Sequence, residues 1–201
     1  MTGRIVILNG VPRSGKSSIA KAMQDTLPGH WINLGVDAQN RSLPEALMPG
    51  IGLRPGGERP DLEPDVVRLY LALYGAIAAH ARQGFDVVAD LGHHDFYSTP
   101  LGILPACAQL LDGLDVLFVG VHCPIEEIMR RRNADPQGGF YAGGDTVPEP
   151  VRRWQEAVHV SVLYDIAVDT GAMTTGECVA AIAAALAYPP ARRAFATLAA
   201  L

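Results

Sequence analysis

The most informative residues of this chain form a glycine-bounded run that could bind phosphate, Gly10-Val11-Pro12-Arg13-Ser14-Gly15-Lys16-Ser17. The run fits the pattern G-x-x-x-x-G-K-[ST], follows the apolar stretch Ile5 to Leu8, and leads through Ser18 into a helix-favouring segment. In such a loop the glycines let backbone N–H groups turn toward an anion, the lysine reaches the β- and γ-phosphates, and the serine hydroxyl binds Mg²⁺. The run therefore predicts a nucleoside triphosphate site from Gly10 to Ser18, with Lys16 acting on the transferred phosphate and Ser17 as a metal ligand.

Lysine usage supports this interpretation. The chain contains two lysines, Lys16 and Lys21, against fourteen arginines. A sequence that otherwise uses arginine for positive charge thus places a lysine at the one position where a compact ammonium group suits the phosphates.

Two aspartates at the ends of predicted strands are candidates for chemistry. Asp37 follows the second apolar run of the chain, and Asp90 follows the third, Asp86 to Ala89. Phosphoryl transfer to an alcohol needs a carboxylate that accepts or orients the hydroxyl proton, so we assign Asp37 as the general base. Asp90 is assigned as a Mg²⁺ ligand beside Ser17. The alternatives are that Asp37 is a helix N-cap, that Asp90 caps the next loop, or that the two roles are exchanged.

An arginine run, Arg130-Arg131-Arg132, lies near the end of a predicted helix. Successive helical residues point about 100° apart, so the three side chains cannot all face one phosphate group. We assign Arg130 and Arg131 to the charge of the transferred phosphate, with Arg152 and Arg153 as secondary candidates. The competing interpretation is a solvated basic helix terminus, which the helix dipole favours.

The segment His93-His94-Asp95 is interpreted as part of a substrate pocket rather than as a metal site. Adjacent histidines rarely bind one ion, and no second pair with metal-ligand spacing accompanies them. Tyr70 and Tyr74, four residues apart on a predicted helix, are either an aromatic pocket wall or core residues.

The order of the predicted elements indicates an α/β fold. Short β-branched runs alternate with helical segments, which is typical of a parallel sheet covered by helices on both faces. The predicted strands are Ile5 to Leu8, Trp31 to Val36, Asp86 to Ala89, Val116 to Val121 and Ile166 to Val168. The predicted helices are Ser17–Leu27, Val66–Arg82, Pro105–Leu111, Ile125–Asn133, Pro148–His159 and Thr175–Tyr188. Because ligands bind at the carboxyl edge of such sheets, the aspartates that end these strands, Asp37, Asp90 and Asp169, should face one crevice.

Two irregular segments interrupt the pattern. Residues 40–64 are rich in proline and glycine and predict either a substrate cap or an ordinary surface excursion. Residues 134–147 include a glycine-rich stretch that predicts a mobile lid over the phosphates. We expect a single domain over residues 1–188 and a tail or helix over residues 189–201.

Composition and charge limit the kinds of molecule that the protein is expected to bind. A net charge of −5 without a basic stripe argues against nucleic acid, and no run of about 18 apolar residues is present to span a membrane. Three separated cysteines and the absence of an apolar leader suit a cytoplasmic protein. The expected partner is a small hydroxylated molecule, and a homo-oligomer is left open.

Several segments resemble chloramphenicol phosphotransferase and its relatives among the P-loop kinases. Besides the P-loop, they are Leu34-Gly35-Val36-Asp37, Leu114 to Val121 and Tyr164 to Thr170, and the resemblance extends from Arg4 to about Ala187. It implies a five-stranded parallel sheet and short lid like those of shikimate and nucleoside monophosphate kinases. It also implies ATP and Mg²⁺ as cofactors, Asp37 as the base, lid arginines at 130–132, and the Asp169-Thr170 turn near adenine.

The resulting prediction is an ATP-dependent O-phosphotransferase that acts on chloramphenicol or a related hydroxylated metabolite. The chain departs from the family pattern at Pro12-Arg13, at Leu91 after Asp90, in residues 40–64 and around His93-His94. Arg13 could add a phosphate contact, and the other departures fall where the acceptor should bind. The alternatives are a housekeeping nucleotide or metabolite kinase and a non-catalytic ATP-binding regulator.

Overall fold

The computed structural model describes residues 2–136, 144–160, 162–191 and 193–201, and within them the strands form one parallel sheet. The strands are β1 (Ile5–Asn9), β2 (Trp31–Asn33), β3 (Asp86–Leu91), β4 (Val116–His122) and β5 (Ile166–Asp169). Their spatial order is β2-β3-β1-β4-β5, and each neighbouring pair is parallel. The central strand β1 thus lies between β3 and β4, and the loop that follows it opens at the middle of the carboxyl edge. This confirms the predicted five-stranded parallel sheet.

Helices connect the strands. They are α1 (Lys16–Thr26), α2 (Val36–Asn40), α3 (Glu63–Arg82), α4 (Ile103–Leu110), α5 (Ile125–Ala134), α6 (Glu149–Ala157), α7 (Thr175–Ala187) and α8 (Ala194–Leu198). Each of the six predicted helices is present with ends shifted by a few residues. Helix α3 begins three residues before the predicted Val66, because Pro64 suits a first helical turn and Glu63 accepts hydrogen bonds from the backbone and hydroxyl of Ser98.

The second strand is shorter than predicted, and the prediction that it reaches Val36 is wrong. The backbone N–H of Leu34 still donates to the carbonyl of Val88, and then Gly35 turns the chain away into α2. A Cβ on Gly35 would lie 1.5 Å from Oδ1 of Asp90. The strand therefore ends where the backbone must pass close to that carboxylate.

The core lies on both faces of the sheet, as the alternation of β1 shows. Ile5 and Ile7 pack with α3, α4 and α8 on one face. Val6 and Leu8 pack with α1 and α7 on the other face. Every residue of β1 is buried, as expected for the central strand of a sheet covered on both sides.

Tyr70 and Tyr74 belong to this core. Both are fully buried on α3, and the hydroxyl of Tyr70 donates to the carbonyl of Ile51. Phe195 of α8 completes the aromatic layer, with its ring centroid 6.2 Å from Tyr74 and 4.9 Å from Phe118. Among the helices of the described ranges, none combines the length and the hydropathy that crossing a bilayer requires.

Candidate active site

The loop between β1 and α1 has the backbone shape of an anion site. Arg13 and Gly15 have φ angles of 68° and 93°, in the left-handed region that turns successive N–H groups to one side. The first amides of α1 have no intrahelical acceptor, and they open onto a crevice of about 840 Å³ that Gly15, Lys16 and Ser17 help to line. The loop therefore fits the phosphates of a nucleotide, with the helix dipole adding positive potential.

Lys16 spans this loop. Its Nζ donates to the carbonyl oxygen of Val11 over 2.8 Å. Burial lowers the pKa of Lys16 to about 8, and the nearby carboxylates of Asp90 and Asp37 only partly oppose that shift. The ammonium group is thus held next to the amides by a neutral carbonyl that an anionic phosphate can replace.

Ser17 and Asp90 form a pair at the edge of the loop. Oγ of Ser17 donates to Oδ2 of Asp90 over 2.6 Å. Burial raises the pKa of the Asp90 carboxyl, an effect that the Ser17 hydrogen bond and the charge of Lys16 partly offset. A hydroxyl and a carboxylate oxygen are the protein ligands that Mg²⁺ takes in P-loop enzymes, so this pair fits the ion and would help neutralise phosphate charge.

Asp37 lines the same crevice. It lies in the first turn of α2, and the N-cap of that helix is Gly35. The alternative in which Asp37 is the N-cap therefore does not describe this helix. Lys16, Ser17, Asp90 and Asp37 all line one crevice, as the carboxyl-edge argument predicts for the two aspartates. For Asp169 the same prediction is wrong, because Asp169 is not among the residues that line the crevice.

The three arginines of α5 diverge, as helical geometry requires. Arg130 is exposed and donates two hydrogen bonds of 2.6 Å to Glu127. Arg131 is largely covered and reaches the P-loop, whereas Arg132 is buried and is not among the residues that line the crevice. Arg130 and Arg131 together lower the pKa of Glu127 to about 2. Arg130 and Arg131 thus line the crevice, and Arg132 does not.

The turn after β5 contacts the P-loop directly. Oγ1 of Thr170 donates to the carbonyl of Ser14 over 2.6 Å, and Thr170 lines the crevice. Asp169 instead accepts the backbone N–H of Gly171, so its carboxylate stabilises the turn. The guanidinium of Arg13, the predicted additional phosphate contact, is bound to the carboxylate and carbonyl of Asp135.

The predicted lid lies partly outside the described residues, which omit 137–143. The residues on either side of that gap are joined. The side chain of Asn133 accepts the N–H of Gly144 over 2.8 Å and donates to its carbonyl over 3.3 Å. The ends of the segment are therefore fixed beside α5.

The predicted pocket histidines lie behind the crevice wall rather than in it. His93 stacks on Tyr70 at 4.5 Å and bonds the hydroxyl of Tyr74 through Nε2, and burial lowers its pKa to about 3. His94 bonds the carbonyl of Leu53 and meets the ring of Trp154 edge-on at 5.1 Å. Trp154, in turn, lines the crevice, so His94 packs behind a residue of the crevice wall.

Sequence reasoning missed a second cavity of about 350 Å³ that adjoins the crevice. Pro12, Gly52 and Trp154 line both spaces and separate them. The walls of this cavity are mostly apolar and come from residues 48–54, α5 and α6: Met48, Pro49, Ile128, Pro150, Val151 and Trp154. The sequence signal that could have indicated it is a tryptophan on the helix that follows the lid.

Comparison with known proteins identifies the group to which this geometry belongs. Residues 3–187 match the family model described as chloramphenicol phosphotransferase-like protein. The chain belongs to the chloramphenicol phosphotransferase-like family. A Mycobacterium tuberculosis protein, named as a candidate O-phosphotransferase, is 30% identical over 190 residues, covering 87% of this chain and 78% of its own length.

Solved structures share the fold of this chloramphenicol phosphotransferase-like protein. The Mycobacterium tuberculosis APS kinase in complex with AMPPNP and APS is similar with a TM-score of 0.61 and 18% identity, covering 92% of this chain and 98% of that one. Shikimate kinase from Acinetobacter baumannii in complex with shikimate is similar with a TM-score of 0.56 and 11% identity, covering 95% and 97%. The chain therefore has the P-loop kinase fold. Its family and its Mycobacterium tuberculosis relative support a phosphotransferase that acts on a hydroxyl group.

Proposed function

We propose that this protein transfers the γ-phosphate of ATP to a hydroxyl group of chloramphenicol or a similar uncharged, ring-bearing alcohol, with Asp37 as the general base. The observation that carries the proposal is the placement of Asp37 in one crevice with Lys16, Ser17 and Asp90, next to a mostly apolar cavity. The crevice holds the chemistry, and the cavity accommodates the part of the acceptor that does not react.

The lining of that cavity narrows the acceptor class. Its apolar walls favour a ring over a polyol, because each sugar hydroxyl buried there without a partner would lower affinity. A charged group buried against these apolar walls would lose more hydration than an uncharged ring, so the lining also favours an uncharged acceptor.

The chemistry requires only groups that line the crevice. The Asp37 carboxylate takes the proton of the acceptor hydroxyl, the hydroxyl oxygen forms the new bond to the γ-phosphorus, and ADP leaves as its bridging bond breaks. Lys16 gives up the Val11 carbonyl and pairs with the phosphates. Ser17 and Asp90 would hold Mg²⁺, which neutralises charge on the transferred group when bound.

The test is a mass measurement on chloramphenicol incubated with ATP, Mg²⁺ and protein. We expect one added phosphate with the native chain and a rate about 10²- to 10⁴-fold lower with Asp37→Asn, with ATP affinity retained. The matched control is Asp61→Asn, because Asp61 is an exposed aspartate that is paired with Arg59 in the segment that follows α2.

Each result of that test has a defined meaning. Full activity of Asp37→Asn would show that Asp37 is not the general base. Asp90 would then be the next candidate for that role. ATP hydrolysis without added mass on the drug would overturn the antibiotic acceptor and favour the housekeeping metabolite kinase. Binding of ATP without any turnover, for a panel of uncharged alcohols, would favour the regulator.

A further inference from the structure

The P-loop turns its amides toward the crevice, and the carbonyl oxygens on its other side need hydrogen-bond donors. When the amides of a loop turn toward an anion, its carbonyl oxygens turn away from it and need donors of their own. Three such carbonyls have donors here, at Val11, Arg13 and Ser14. The donors differ in whether they remain when a phosphate binds.

Lys16 is the donor that must leave. It bonds the carbonyl of Val11 over 2.8 Å and is also the residue that a phosphate recruits. The carbonyl of Val11 keeps the N–H of Ser14 at 3.2 Å after that exchange.

Arg131 and Thr170 are donors that can stay. Nη1 of Arg131 donates to the carbonyl of Arg13 over 3.1 Å, and Oγ1 of Thr170 donates to the carbonyl of Ser14 over 2.6 Å. Both residues also flank Gly15, where an added Cβ would lie 3.3 Å from Nη1 of Arg131 and 3.5 Å from Cγ2 of Thr170. They therefore contact the loop where its backbone is left-handed.

The guanidinium of Arg131 is almost fully used by these contacts. Nη1 also donates to Oγ1 of Thr170 over 3.2 Å, Nη2 donates to the carbonyl of Thr170 over 2.7 Å, and Nε donates to Glu127 over 2.8 Å. Four of its five N–H groups are thus committed to the protein itself. Arg130, whose side chain is 69% exposed, has the greater freedom to turn toward a phosphate.

We propose that Thr170 and Arg131 are positioning residues that hold the P-loop in its anion-binding shape before the nucleotide arrives, by donating to the carbonyls of Ser14 and Arg13. The proposal rests on the proposed function only in taking the P-loop as the nucleotide site. Its consequence is a loop that binds phosphate without first paying an ordering cost, so losing either donor weakens binding of any polyphosphate.

The test measures the binding of inorganic tripolyphosphate with Mg²⁺ by calorimetry. This probe carries no adenine ring, so Thr170 can affect its binding only through the P-loop. We expect Thr170→Val to weaken binding about threefold to tenfold, Thr170→Ser to retain most of the affinity, and kcat at saturating ATP to change less than the KM for ATP. The matched control is Thr26→Val, since the Thr26 hydroxyl also donates to a backbone carbonyl over 2.6 Å, far from the loop.

A second variant tests the coupling. Arg131→Ala alone should weaken tripolyphosphate binding, and the loss in the double variant with Thr170→Val should be smaller than the two losses combined, because both residues hold the same stretch of loop. Normal tripolyphosphate binding by Thr170→Val, with ATP binding weakened, would overturn the proposal. It would indicate that Thr170 contacts the adenine ring instead of holding the P-loop. A native chain that binds neither ligand would instead refute the nucleotide site itself.

Discussion

The two halves of the crevice are built in different ways. The nucleotide half consists of the P-loop, Arg130 and Arg131 of α5, and the turn after β5, and polar side chains fix it by donating to backbone carbonyls. The acceptor half consists of residues 36–62, residues 92–98 and α6, and buried rings and loop contacts hold it, such as the His94–Trp154 contact and the bond from Gly56 N–H to the carbonyl of Phe96. In the proposed function, the first half binds a constant ligand, the nucleotide, by backbone geometry, and the second binds the acceptor by shape.

One added methyl group in each half should distinguish them, and the larger effect is expected in the nucleotide half. In Gly15→Ala the new Cβ adds contacts to Arg131 and Thr170 at a φ of 93°, where a side chain costs about 1–2 kcal/mol. We expect ATP affinity to fall about tenfold. Gly75→Ala is the control, because a Cβ there meets nothing within 4 Å on helix α3, and titration calorimetry should show native affinity for it.

The nucleotide half should also respond to alkaline pH. Because burial lowers the pKa of Lys16 to about 8, the ammonium is present below that pH and is lost above it. We expect kcat/KM for ATP to fall about tenfold per pH unit above pH 8 in the free enzyme's profile. Lys16→Arg keeps its positive charge in this pH range, so its kcat/KM for ATP should not change between pH 8 and pH 10. A native profile that is flat to pH 10 would contradict the role of Lys16.

The corresponding methyl in the acceptor half should have a smaller and separate effect. In Gly92→Ala the Cβ would lie 3.1 Å from Cζ3 of Trp154, so the ring must move by a few tenths of an ångström. We expect the KM for the acceptor to rise about threefold while the KM for ATP stays native, measured by steady-state kinetics in both substrates. An equal loss for both substrates would show that the two halves are not separable.

The difference between the halves also explains what the sequence could predict. The P-loop and the position of Asp90 beside it were predictable because phosphate binding demands particular residues at fixed spacing along neighbouring strands. The turn at Thr170 was indicated only by the family resemblance, and its place near adenine stays a prediction. The role of Asp37 and the division of labour between Arg130 and Arg131 remain predictions.

The acceptor half was less predictable because its contacts join residues distant in sequence. Trp154 of α6 packs close to Gly92 and edge-on to His94, and no spacing along the chain indicates these contacts. His93 and His94 suggested a pocket lining, and burial instead places them one layer behind it. A pattern of prolines and glycines over residues 40–64 indicates an excursion but does not specify which wall it forms.

The aromatic layer that Phe195 completes has a consequence for synthesis of the protein. Tyr74 and Phe118 emerge from the ribosome well before residue 195, so during translation they lack the ring that later covers them. The residues of the crevice have all emerged by Thr175, ahead of that final aromatic contact. A chain stalled between residues 188 and 193 would thus carry every residue of the crevice while α8 is missing from one face of the sheet, and its exposed rings would make it prone to aggregation.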